Sequence, residues 1–185
     1  MSYGSMSDAQ CEAFKPFVIG KTIHDLGSGD GVLALLMAQI GAKKVIAVDK
    51  QEFPRAAKFA AQIEFRSTLF EDFNESVETI FLSWPDNHPL EGLLPLVTQA
   101  KTVIYLGKNS DGSVCGWPEL FKEFSGREIL KHLPERKNTL RIYGPTRLNR
   151  PMTGEEFAAI NMFTGGPLSF EDTGKIDVSL RGTVL

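Results

Sequence analysis

Between residues 22 and 49 the pattern of apolar and polar positions changes period twice. Thr22 to Leu26 suits a short strand, and the run GSGDG follows at once. Leu33, Leu36, Met37 and Ile40 then recur at i, i+3, i+4 and i+7, the spacing of one face of a helix. Gly41 falls where a helix C-terminus favours a residue with positive φ. Val45 to Val48 is a continuous apolar run, as expected of a strand buried on both faces of a parallel sheet, and Asp49 ends it. The stretch therefore reads as strand, loop, helix, strand.

The same reasoning extends along the chain. Ser7-Asp8-Ala9-Gln10 suits the cap of a short helix through about Phe17, with Phe14 and Phe17 as its apolar contacts. Pro54, at a first helical position, and Ala56, Ala57, Phe59, Ala60 and Ile63 predict a second crossover helix. Strands are expected over Ile63–Thr68, Val77–Leu82 and Thr102–Leu106. Between the last two lies a helix, Leu90–Ala100, with Leu93, Leu94 and Val97 inward. A polar loop from Lys108 to Trp117 leads to a short helix, Pro118–Phe124. Ile129–Leu133 and Leu140–Tyr143 flank Pro134–Asn138 and read as a hairpin. Residues 146–185 carry no strong period and are broken by Pro and Gly, so the expected division is a domain over 1–145 and an extension over 146–185 that serves as lid, arm or subunit interface.

Chemistry follows from this order. A crossover helix that starts just after a strand points its free N–H groups and positive dipole end at the carboxyl edge of the sheet, which favours an anionic group there. Gly27, Gly29 and Gly31 permit a sharp turn and close approach of backbone to a ligand. Asp49, at the tip of the second strand, is placed to accept from both hydroxyls of a ribose. A dinucleotide fingerprint needs Gly or Ala where Val32 stands, which counts against a nicotinamide cofactor.

The segment DLGSGDG…AVD resembles the first two cofactor motifs of class I S-adenosylmethionine-dependent methyltransferases. The resemblance covers about residues 20–145 and is strongest over 22–49. It implies a doubly wound α/β fold: a mostly parallel seven-stranded sheet with a C-terminal antiparallel hairpin and helices on both faces. It also implies that Asp25 holds the methionine amino group, that Gly27, Ser28, Gly29 and Gly31 lie against the methionine arm, and that Asp49, with Lys50 beside it, takes the ribose. A helix before the first strand lends an end to the site wall. The family commonly has an Asp beyond its third strand for the adenine amino group; here Leu69 stands there. Adenine is then left to stack on Leu69 or Phe70, with Thr68 or a backbone group as partner, or with Glu71 or Asp72 after a shift of register. In amino-methylating relatives the fourth strand ends in [Asn/Asp/Ser]-Pro-Pro-[aromatic]. Ser83-Trp84-Pro85 is partly similar, which makes these three the candidate catalytic residues, orienting a nitrogen or a flat acceptor; the alternative is a turn in which Trp84 walls the cofactor pocket. Asp86, His88 and Asp111 are weak candidates for a general base.

Composition narrows the rest. The chain has 185 residues, enough for one α/β domain with a short appendage, and a net charge of −3, which argues against a protein-wide nucleic-acid footprint. No apolar run reaches a membrane span and no leader pattern is present, so a cytoplasmic location without membrane association is expected. Cys11 and Cys115 stand apart from other ligand-type residues, so neither a disulfide framework nor a metal site is expected. His24, inside the first strand, reads as a buried, hydrogen-bonded histidine. Residues 121–150 hold eight Lys or Arg against three acidic residues, either a face for an anionic substrate or ordinary charge on an edge hairpin. The expected activity is methyl transfer from S-adenosylmethionine to a small molecule, protein or nucleic acid, with homo-oligomerisation open. The rivals are a non-catalytic S-adenosylmethionine sensor or subunit and an NAD-dependent oxidoreductase.

Overall fold

The computed structural model describes residues 6–51, 61–85, 90–108, 118–135 and 138–146. The second predicted crossover helix, Asp86, His88, Asp111, Cys115, Trp117 and the extension beyond residue 146 lie outside them.

In chain order the elements are α1 (Asp8–Val18), β1 (Thr22–Leu26), α2 (Val32–Ile40), β2 (Lys44–Asp49), β3 (Ile63–Ser67), a single 3-10 turn (Phe70–Asp72), β4 (Thr79–Ser83), α3 (Leu90–Gln99), β5 (Thr102–Gly107), α4 (Pro118–Ser125), β6 (Arg127–Pro134) and β7 (Thr139–Thr146). The strands form one seven-stranded sheet in the order β3-β2-β1-β4-β5-β7-β6. β1 to β5 pair in parallel, and β7 joins β5 and β6 antiparallel. The strand order reverses between β1 and β4, and the crevice outside the carboxyl ends of those strands is where open α/β sheets bind ligands.

Two apolar layers hold the sheet. On one face Phe14 and Val18 of α1 and Leu33, Ala34 and Met37 of α2 pack on Ile23, Ala47, Phe81 and Ile104. On the other, Leu93, Leu96 and Val97 of α3 and Leu120, Phe121 and Phe124 of α4 pack on Leu26, Val48, Leu82 and Tyr105. Leu96, not Leu94, completes the inward stripe of α3; Leu94 is only half-buried. The helix keeps Gly92 inward too, because a Cβ there would lie 2.8 Å from the backbone nitrogen of Glu71 and from Cβ of Phe70.

The ends of the elements explain their limits. Ser7 caps α1 reciprocally: its Oγ accepts from the Gln10 N–H at 3.2 Å while Gln10 Oε1 accepts from the Ser7 N–H at 3.1 Å. Gly41 ends α2 at φ 110, donating its N–H to Ala38. Gln10 also donates to Asn138 Oδ1 at 2.8 Å, a buried bond that ties the start of α1 to the β6–β7 turn. Because Thr139 pairs with Gly107 at the end of β5, that turn sits at the carboxyl edge of the parallel strands. The helix before the first strand thus brings its N-terminal end to this edge.

The basic segment reads differently in three dimensions. Arg127 and Arg141, two of its eight cations, are buried, so they contribute nothing to a charged face. Arg127 reaches under α3 and donates to the carbonyls of Val97, Thr98, Ala100 and Gly144 at 2.5, 3.1, 2.8 and 3.0 Å. Three of these are in or just beyond the last turn of α3, where helix carbonyls lack intrahelical partners.

Candidate functional site

The loop between β1 and α2 is a chain of left-handed turns. Gly27, Gly29 and Gly31 have φ of 79°, 54° and 79°. A side chain at any of them would be strained. The loop is anchored from below by Val48, whose carbonyl accepts the N–H groups of Gly27 at 2.8 Å and Ser28 at 3.1 Å. Nothing lies within 4 Å of where a Gly29 Cβ would project, so the space over the loop is open.

Asp49 closes the loop from the neighbouring strand. Its Oδ2 accepts from the Gly29 N–H at 2.9 Å and its Oδ1 from the Gln51 N–H at 3.1 Å. Each oxygen of a carboxylate keeps further lone-pair capacity, so the group is oriented yet still able to accept from hydroxyls. The Thr68 N–H donates to the Asp49 carbonyl at 3.0 Å, which holds the end of β3 against the end of β2. Lys50 is exposed beside them.

Leu69 is 46 % exposed, a large apolar side chain left open at this edge. Phe70 is not available for stacking, because it is buried in the core under the 3-10 turn, against α3. The alternation of exposure at 69 and 70 is set by that turn, which a strand ending at Thr68 did not anticipate.

Asp25 is the least ordinary member. It is 1 % exposed, and its Oδ2 is buried without a hydrogen-bond partner. Burial, with the negative charges of Asp49 and Asp30 added, pushes its carboxyl up to about 8. Asp30, which also accepts from the Val32 N–H at 3.2 Å, was not singled out from the sequence, although its place between two of the glycines was in plain view. His24 points to the opposite face, against Phe73. It is buried, interacts with the Thr79 backbone, and is pushed down by burial, a structural histidine as its place in the strand implied.

Across the reversal point, the end of β4 is strained. Trp84 has φ 51, the sole positive φ of a non-glycine residue among those described. For a bulky residue that conformation costs on the order of 1–3 kcal/mol and persists only where its surroundings impose it. Here the Trp84 N–H continues the ladder to the Leu106 carbonyl at 3.0 Å while Pro85, buried, follows. Ser83 Oγ and Trp84 Nε1 are both buried with no partner. Buried polar atoms are nearly always satisfied, so two adjacent exceptions on a strained strand tip make it a candidate ligand contact. Pleat alternation puts Ser83 on the same face as Phe81, which is the residue opposite Asp25. Asp25, the glycine loop, Asp49 and Ser83 therefore share one side of one edge.

No protein-family model matches the chain. A protein arginine N-methyltransferase of Arabidopsis thaliana is 38 % identical over 63 residues, 34 % of this chain and 16 % of that protein, so the match spans less than a fifth of the relative. Among solved structures, the 1,6-didemethyltoxoflavin methyltransferase of Burkholderia thailandensis, with S-adenosylhomocysteine bound, aligns with a TM-score of 0.57 at 12 % identity over 74 % of this chain and 78 % of its own. Magnesium protoporphyrin IX methyltransferase from Synechocystis, also with S-adenosylhomocysteine, aligns with a TM-score of 0.54 at 17 % identity over 78 % and 89 %. The N-methyltransferase NodS of Bradyrhizobium japonicum aligns with a TM-score of 0.54 at 11 % identity over 75 % and 94 %. The strand order, the antiparallel β7 and these alignments agree: the chain has the fold of the class I S-adenosylmethionine-dependent methyltransferases.

Proposed function

We propose that the chain is an S-adenosylmethionine-dependent methyltransferase. The observation that carries the reading is the bond from Gly29 to Asp49, which orients that carboxylate beside an open, glycine-lined floor. In this reading the methionine arm lies along Gly27–Gly31 with its ammonium near Asp25. The ribose meets Asp49, and adenine lies over Leu69 near Thr68. Lys50, exposed at the same tip, contributes only to the rim. The cofactor supplies an electrophilic methyl group when bound. The protein's own task is alignment and removal of water at the tip of β4.

The acceptor belongs beside Ser83, Trp84 and Pro85. A hydroxyl can accept from or donate to an incoming group, the indole N–H can only donate, and the indole ring offers a flat wall. A nitrogen acceptor suits this set, and the Arabidopsis relative is named for methylating arginine nitrogen. Small molecule, protein and nucleic acid all fit the same chemistry. Among the described residues no helix is long and apolar enough to cross a membrane, and a cytoplasmic enzyme is the simplest setting. We assign residues 1–145 to the catalytic domain and 146–185 to a C-terminal extension.

S-adenosylhomocysteine should raise the melting temperature while NAD and NADP leave it unchanged. At one hundred times its dissociation constant a ligand adds about 2.7 kcal/mol, on the order of 5–10 °C at this size. Asp49→Ala should weaken cofactor binding by on the order of 1.5–3 kcal/mol in calorimetry without unfolding the protein. A melting shift with NAD alone would remove the assignment.

Ser83→Ala and Trp84→Ala should cut transfer of label from S-adenosylmethionine to fractionated cell extract, leaving cofactor affinity within a few-fold. Trp84→Ala lowering cofactor affinity instead makes the indole a pocket wall. Cofactor binding with no transfer to any fraction points to a sensor or subunit.

A further inference from the structure

Asp25 sits in the middle of a charge problem that the fold leaves unsolved. Among the described residues, the elements packed around it offer no cation. β2 contributes Asp49 and the glycine loop contributes Asp30, both acidic and both acting to keep a proton on Asp25. α1 and α2 present Phe14, Val18, Leu33, Ala34 and Met37, all apolar. β4 presents Phe81 and the uncharged Ser83. The side chain is sealed from solvent, and one carboxyl oxygen has no hydrogen-bond partner. An ionised carboxylate isolated in this way is strongly disfavoured, and the group neutralises instead. Burial and the two neighbouring carboxylates raise its titration to about 8. The same oxygen is an acceptor waiting for a donor, and an ammonium brings three donors together with the missing positive charge.

We infer that Asp25 is neutral in the empty site and ionises when a cationic ligand group enters, so that each cofactor bound releases one proton to solvent. The inference rests on the cofactor reading above and adds to it a linkage between binding and pH. The Asp25 O–H bond breaks heterolytically, the electron pair stays on the carboxyl oxygen, the proton passes to water, and no bond to the ligand forms. Charge at the buried carboxyl is thereby balanced by the ligand and not by the protein. The site then selects for a positive group in the methionine arm, because a neutral ligand leaves Asp25 protonated and gains nothing from it.

The test is calorimetric titration of the wild-type protein with S-adenosylhomocysteine at pH 7.0, in phosphate and in Tris, whose heats of ionisation differ. The dependence of the observed heat on buffer counts protons. Close to one proton released per ligand is expected, with affinity rising about tenfold from pH 6 to pH 7, as one-proton linkage requires. Asp25→Asn keeps the shape and fixes the neutral state; it should bind more weakly, with no proton released and no pH dependence over that interval. If the variant does not fold, carbon-13 carboxyl spectra of aspartate-labelled wild-type protein decide the matter. Asp25 should titrate near 8 in the empty protein, and should be ionised at pH 6 with ligand present. Binding with a buffer-independent heat overturns the inference and leaves the cofactor reading standing, as does a carboxylate already ionised at pH 6 in the empty protein. Absence of any binding overturns both.

Discussion

Replacing Arg127 with alanine is expected to remove on the order of 3–5 kcal/mol of stability, the cost of breaking a buried, charge-assisted network by deleting one partner. The guanidinium is fully buried and its two terminal nitrogens serve four carbonyls, on α3 and on β7. Without it the buried carbonyls of Val97 and Ala100 lose a donor that water cannot replace at that depth, and Glu123, whose Oε1 lies 3.4 Å from Nε, loses its counter-charge. Domains are stable by only about 5–15 kcal/mol, so the loss is a large fraction of the whole. The unfolding midpoint in urea should fall with little change in slope, and the melting temperature should drop by roughly 10 °C. Arg127→Lys should recover less than half of the loss. One ammonium cannot reproduce a planar fork that addresses four oxygens from two nitrogens. A loss below about 1 kcal/mol, the scale of an exposed ion pair, would mean that the network does not hold α3 to the hairpin.

The ligand-free protein should lose stability as pH rises from about 4 to about 8, and Asp25→Asn should abolish that part of the dependence. The sign follows from linkage. The folded-state titration of Asp25 lies at about 8, above its ordinary value of 3.8. Between these values the folded state binds a proton that the unfolded state has given up, so the slope of unfolding free energy against pH is negative. The contribution is fully present below pH 4 and lost as pH climbs through 8. Each pH unit across that interval corresponds to about 1.4 kcal/mol, so the whole is worth on the order of 5 kcal/mol. The asparagine variant should accordingly be more stable than wild type at pH 9, and the gap should shrink toward pH 5. Urea unfolding of both proteins at pH 5, 7 and 9 measures it. Parallel pH profiles for the two proteins would place an ionised Asp25 in the empty site.

These two residues mark where reading the chain falls short. The β1–α2–β2 unit was legible because its determinants are local: an apolar run, three glycines, a 3.6-residue period, a glycine stop and a second apolar run. The expected strand over 22–26 and the stop at Gly41 match the structure residue for residue, as does the ending of β2 at Asp49. The doubly wound sheet with an antiparallel last pair, which the resemblance of the glycine-loop motifs implies, also matches. Boundaries moved where neighbours decide them. β4 begins at Thr79 and runs through Ser83, because pairing with β5 over Thr102–Leu106 sets its span.

What the sequence determined by itself is the order of elements, the glycine loop, and the two acids at its ends. Each depends on residues within a few positions of one another, whose φ preferences and periodicity are intrinsic. The tertiary structure alone decided three further things. It turned Phe70 inward and left Leu69 open. It imposed a left-handed conformation on Trp84 and left its indole and the Ser83 hydroxyl without partners. It also surrounded Asp25 with acids and hydrocarbon while turning Arg127 away to cap α3. Burial and charge balance are sums over groups distant in sequence. The same aspartate is therefore an ordinary acid in the chain and, in the fold, one whose carboxyl burial and neighbouring acids push up.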